Sequence, residues 1–221
     1  MSNHDVTGSM ERTHVPIFAL QAEMKSDRQF EALCRQSGLP RDFVAGYEPR
    51  WYNGPPPELT KVLFFMAEPG AITETEKNNL LPAITHDDWI GTYDLRLQEH
   101  YWRDNLRQLC RHIWPENTEA SMCEQLGGSC TFWMSLPRNA QTKAIPAAPL
   151  NYFLTKYLAR FLALFPNAII LAAGGKAAER LTKVGHAFER CSAFTKPESN
   201  KPSARESWRV AGLAIARRLA P

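Results

Sequence analysis

Three stretches of the chain place reactive residue types directly beside backbone punctuation that would expose them. The first is Phe64-Phe65-Met66-Ala67-Glu68-Pro69-Gly70, where an apolar run breaks into an acid. A carboxylate there, with Pro69 fixing its approach and Gly70 allowing close passage of the backbone, can hold or activate a water. Pro-Gly is also a sufficient turn signal by itself. The second is Ala168-Ile-Ile-Leu-Ala-Ala followed by Gly174-Gly175-Lys176-Ala-Ala-Glu-Arg-Leu. It reads as a strand turning into a helix whose first N–H groups face any nearby anion, a phosphate above all. It is not a nucleotide-triphosphate loop, which would need glycine at Ile170 and a hydroxyl at Ala177. A turn that uses glycine only for clearance fits the same residues. The third runs from Cys191 to Ala204 and gathers Lys196-Pro197, Ser199, Asn200, Lys201 and Ser203 ahead of a helix. Short hydroxyls, an amide and lysines suit phosphate contacts, and equally suit a solvated loop.

The elements that would position these residues can be read from apolar patterning. Four runs are nearly continuous in apolar character, as strands buried on both faces should be. They are Lys61 to Ala67, Cys130 to Met134, Ala168 to Ala173 and Arg190 to Phe194. Helical patterns separate them, and that alternation is the grammar of a parallel α/β sheet. Apolar stripes at three-and-four spacing predict a helix with Trp102, Leu106, Leu109, Cys110 and Ile113 inside, and another carrying Phe153, Leu154, Tyr157, Leu158, Phe161, Leu162 and Phe165. A short helix over Lys176 to Val184 turns Ala177, Ala178 and Leu181 inward. A last helix starts near Ser203, an N-cap with Glu206 completing a capping box, and buries Trp208, Ala211, Ile215 and Leu219. Arg28 to Cys34, with Phe30 and Leu33 inward, predicts an N-terminal helix. Arg50 to Glu58 contains three consecutive prolines and is expected to lack regular structure.

Composition narrows the class. The chain has 221 residues, 44% hydrophobic and 22% charged, which suits one well-buried domain spanning 1–221. The first 60 residues read as an extension of undefined role. No secretion signal or membrane-length apolar run stands out, so a cytoplasmic protein is expected, with no membrane partner and as a monomer. Five cysteines and six histidines are scattered without metal-ligand spacing, so free, mostly buried thiols are expected, and no metal, iron–sulfur cluster or other cofactor. Net charge is only +3, but from Lys176 to Arg218 ten lysines and arginines face four glutamates. That excess is what an end meeting a polyanion would carry, and also what a solvated helical surface carries.

Taken in order, the motifs resemble those of the uracil-DNA glycosylase superfamily. A strand ending in x-Pro-Gly comes early, and a strand with a polar, basic loop sits in the middle. An Ile-Ile-Leu-Ala-x-Gly-x-x-Ala strand–helix comes third, and a strand ending in x-Pro-x-Ser precedes the last helix. The resemblance covers roughly Val62 to Leu219. It implies a three-layer α/β/α domain on a short four-stranded parallel sheet, acting on DNA by base excision. It also implies roles. Glu68, directly before Pro69, takes the place of the family's water-positioning Asp or Asn, flanked by Ala67, Pro69 and Gly70. Ser135, or Asn139 beside it, stands where the family's base-reading Asn lies. Trp89 or Tyr93 would stack on the flipped base. Lys196 replaces the family's His, and would steady an anionic leaving base by its charge. Gly174, Gly175, Lys176, Ser199, Asn200, Lys201 and Ser203 would meet DNA phosphates. The chain departs from the pattern at Met66 and Ala67, at Ser135 and at Lys196. A family member that has lost catalysis and binds DNA or a modified base is therefore the second reading. An unrelated α/β hydrolase is the third, although neither Gly-x-Ser-x-Gly nor a metal triad is present.

Overall fold

The computed structural model describes residues 15–38, 52–53, 55–67, 101–134 and 145–220. Within them the chain is mixed α/β and mostly helical. In order the elements are α1 (Val15–Ser26), α2 (Arg28–Gln36), β1 (Tyr52–Asn53), β2 (Val62–Met66), α3 (Tyr101–Ile113), α4 (Glu119–Ser129) and β3 (Cys130–Met134). They continue with α5 (Ala147–Phe153), a π-helical turn (Leu154–Leu158), α6 (Ala159–Ala163), β4 (Ile169–Ala173), α7 (Gly175–Lys183), β5 (Glu189–Cys191) and α8 (Ala204–Leu219).

The sheet has the order β1-β3-β2-β4-β5. β2 pairs in parallel with both β3 and β4, and β4 pairs in parallel with β5. The fifth strand was not expected: Tyr52–Asn53 runs antiparallel to β3, with Tyr52 opposite Trp133 and Asn53 opposite Phe132. Proline removes only its own backbone donor, so residues ahead of Pro55-Pro56-Pro57 remain free to pair. Pro57–Leu59 then forms a single 3-10 turn, closed by Thr60, whose hydroxyl donates toward the carbonyls of Pro55 and Pro56.

Alternation along the central strands divides the interior in two. Leu63, Phe65, Ile170 and Ala172 face one side, packed with Ile17, Leu20, Met24, Phe30, Phe153, Tyr157, Phe161, Ala177 and Leu181 of α1, α2, the α5–α6 helix and α7. Val62, Phe64, Ile169, Leu171 and Ala173 face the other, packed with Leu106, Leu109, Met122, Leu126, Trp208, Ala211 and Ile215 of α3, α4 and α8. Helices thus cover both sheet faces, which is why these strands lack a polar alternation. α1 and α2 belong to this core, although the sequence left the first 60 residues as an extension. Asp27 caps α2, accepting the N–H groups of Gln29 and Phe30. Phe30 and Cys34 are the buried residues of α2; Leu33 is half-buried.

The last helix departs from expectation at its start. Ser203 holds the N-cap position, but its side chain caps nothing, and Glu206 reaches forward to Arg209 at 2.7 and 2.8 Å instead of back. The capping box is not formed because a guanidinium three residues on offers the carboxylate a bidentate, charged partner. Among the described residues no helix is long and apolar enough to cross a membrane.

Candidate functional site at the carboxyl edge of the sheet

α3, the first described element after β2, packs on one face of the sheet, and α7, which follows β4, packs on the other. In open parallel sheets the usual ligand position lies beyond the carboxyl ends of the strands. The strands end together there. Met66 lies opposite Met134 and Ala173, and Ala173 lies opposite Cys191. Ala67, Gly174 and Ser192 therefore open neighbouring loops on one edge. Glu68, Pro69, Gly70, Trp89, Tyr93, Ser135 and Asn139 lie outside the described residues.

Two side chains tie these loops, and neither carried a role in the sequence reading. Arg180 of α7 is 4% exposed and donates through Nη1 to the carbonyl of Ala67. Its position was legible, since it shares the 177, 180, 181, 184 stripe of an otherwise apolar helix face. A guanidinium on such a stripe must find acceptors inside, because a buried charge without them costs several kcal/mol. It finds one at the end of β2.

Glu198 is the second. Its Oε1 accepts the Gly175 N–H at 3.0 Å, and its Oε2 accepts the Ala193 N–H at 3.1 Å. Gly174 is in a backbone conformation reserved for glycine, with φ +102° and ψ 164°. A Cβ at Gly174 would lie 2.9 Å from the Ala193 Cβ. The loops after β4 and β5 thus touch, and the carboxylate closes the seam between them. The first turn of α7 does face an anion, as its sequence suggests, but that anion is the chain's own Glu198. A phosphate at Gly174-Gly175 has to share or displace it.

The start of the last loop is anchored to α8 and α3. The Ser192 N–H donates to Ser207 Oγ at 2.9 Å, the indole of Trp208 donates to the Ser192 carbonyl at 2.8 Å, and Asn105 donates to the Phe194 carbonyl at 2.8 Å. Phe194 is buried beside Trp208. Lys196 follows these anchors and is exposed, joined to Pro197 by a cis peptide bond. Lys176, Asn200, Lys201 and Ser203 are also exposed, and Ser199 is half-buried. Cys191, beneath them, is no nucleophile. Burial, helped by the charge of Glu198, pushes its thiol up to about 12.

Comparison with protein-family models, with curated proteins and with solved structures returns no match for this chain.

Proposed function

We propose that this chain is a DNA glycosylase that hydrolyses the N-glycosidic bond of uracil or another deaminated or damaged base. The observation that carries the reading is the shared edge. The strands preceding Glu68, Ser135, Gly174 and Lys196 end in register on one side of the sheet, in the order β3, β2, β4, β5. The proposal includes the finer architecture, a three-layer α/β/α domain of the uracil-DNA glycosylase type with a four-stranded parallel core. In this reading the target nucleotide is flipped from the stack toward the carboxyl ends of β2 and β4. Trp89 or Tyr93 stacks on the base, and Ser135 or Asn139 reads its edge. Glu68 orients water toward C1′ as the sugar gains oxocarbenium character. Lys196 balances the charge of the departing base. Lys176, Ser199, Asn200, Lys201 and Ser203 meet backbone phosphates. One acid suffices because the leaving group is an anion that can be stabilised, unlike the sugar alkoxide that obliges glycosidases to use two carboxylates.

The second reading, a DNA- or base-binding protein without catalysis, is favoured by the presence of Lys196 in place of a histidine. It is also favoured by the occupation of the α7 N-terminus by Glu198. Oligonucleotides carrying uracil, hypoxanthine, xanthine or no lesion, incubated with enzyme in excess, separate the two. Excision of one modified base over the control supports the glycosylase. Retained binding with no excision on any substrate transfers the proposal to the binding protein.

A further inference from the structure

Glu198 lies two residues beyond Lys196, and one of its two contacts reaches out of its own loop. One carboxylate oxygen takes the Gly175 N–H and the other takes the Ala193 N–H. The turn between Thr195 and Lys201 is closed around it, with Ser199 N–H donating to the Thr195 carbonyl at 3.2 Å and Lys201 N–H to the Glu198 carbonyl at 3.1 Å. Both contacts are charge-assisted, and the Gly175 N–H adds the favourable field at a helix start. The steric seam at Gly174 fixes how near the two loops stand, and the carboxylate fixes how they are aligned. Lys196 is carried on the segment between Ala193 and Glu198, so both ends of its span are set by this one side chain.

We infer that Glu198 is a positioning residue: by bridging the loops after β4 and β5 it sets where the Lys196 ammonium stands over the carboxyl edge of the sheet. This rests on the glycosylase reading for the use of Lys196, but the bridge itself does not. The carboxylate is also a fixed negative charge inside a basic loop, and holds phosphate away from Gly175 so that the surrounding side chains receive it.

The test compares Glu198→Ala with wild type and includes Lys196→Ala and the double variant. Loss of two charge-assisted bonds is expected to speed amide exchange at Gly175 and Ala193 about ten- to hundredfold. Reductive methylation of Lys196, read by mass spectrometry against Lys61 at the opposite edge of the sheet, is expected to change rate. In single-turnover excision, Glu198→Ala is expected to lose roughly tenfold in rate with DNA affinity retained, yet less than about twofold when Lys196 is already alanine. A residue that only stabilises the fold would give additive losses in that cycle. Glu198→Gln, which keeps one acceptor in the same shape, is expected to recover part of the loss, and it serves for all readings if the alanine variant does not fold. Unchanged amide exchange, or unchanged Lys196 modification, overturns the inference, as does an additive cycle. If wild type excises nothing from the substrate panel, the glycosylase reading falls, and the exchange and modification results alone decide the role of Glu198.

Discussion

At the scale of single residues, Glu68 is where function is most exposed to test. Replacement by Gln keeps shape and hydrogen bonding but removes the charge that, in the proposed reaction, orients water. Glu68→Gln is therefore expected to lose ~10²–10⁴-fold in single-turnover excision while DNA binding changes little. Excision within a few-fold of wild type would remove Glu68 from the mechanism. Gly174 tests the seam. With φ +102° and only 2.9 Å from a would-be Cβ to Ala193, Gly174→Ala is expected to cost about 1–3 kcal/mol, read as a shift in denaturant midpoint. The turn at Gly174-Gly175 was legible in sequence, since a strand running into paired glycines announces itself. The Glu198 bridge was not, because the donors it satisfies come from the backbone of residues five and 23 positions away. Residue types do not report which backbone groups a fold leaves unpaired.

Secondary elements show the same division. The stripes of α3, the α5–α6 helix, α7 and α8 were readable because each repeats its apolar positions over several turns. The sequence reading assigned no element at α1, although Ile17, Leu20 and Met24 keep helical spacing and Pro16 falls in the first turn, where proline is well tolerated. α4 was missed because, among its described residues, Met122 and Leu126 alone are buried hydrophobics, ahead of Gly127-Gly128. What joins α2 to the domain was equally hidden. The Asp27 carboxylate, 6% exposed, accepts Lys156 Nζ at 2.8 Å, the Tyr152 hydroxyl at 3.0 Å and the Tyr157 hydroxyl. The π-helical turn makes this possible, because the extra residue it accommodates brings positions 152, 156 and 157 to one point. Burial opposes the charge on Asp27. The donors of Lys156, Tyr157, the Phe30 N–H and Tyr152 outweigh it and hold the carboxyl well below the ordinary range. A carboxyl depressed in the folded state contributes stability that is present above its unfolded value, about 3.9, and is lost as pH falls below it. Neighbouring Glu23, held low by its hydrogen bonds to Arg160, shares that sign. Asp27→Asn is therefore expected to cost roughly 2–4 kcal/mol at neutral pH and to flatten the acid limb of unfolding below about pH 4. An acid limb unchanged by the substitution would place the acid sensitivity elsewhere.

Across the whole molecule, the ten cations from Lys176 onward are fewer than they look. Lys183, Arg209 and Arg218 lie in ion pairs with Glu179, Glu206 and Glu189, and Arg180 is buried. At most six remain to meet phosphate. The log–log slope of duplex affinity against salt is thus expected to be negative and no steeper than about −5. No binding at low salt would end the DNA reading altogether.

Strand order has a cost in time. β2, with its segment Val-Leu-Phe-Phe-Met, is the middle of the sheet, yet β4 starts at Ile169, about a hundred residues later. At ribosomal speeds of ~5–20 residues per second, that adhesive five-residue segment waits roughly 5–20 seconds for its second neighbour. Nascent chains stalled before Ile169 would be the species most prone to self-association, and the ones a trigger-type chaperone would hold longest.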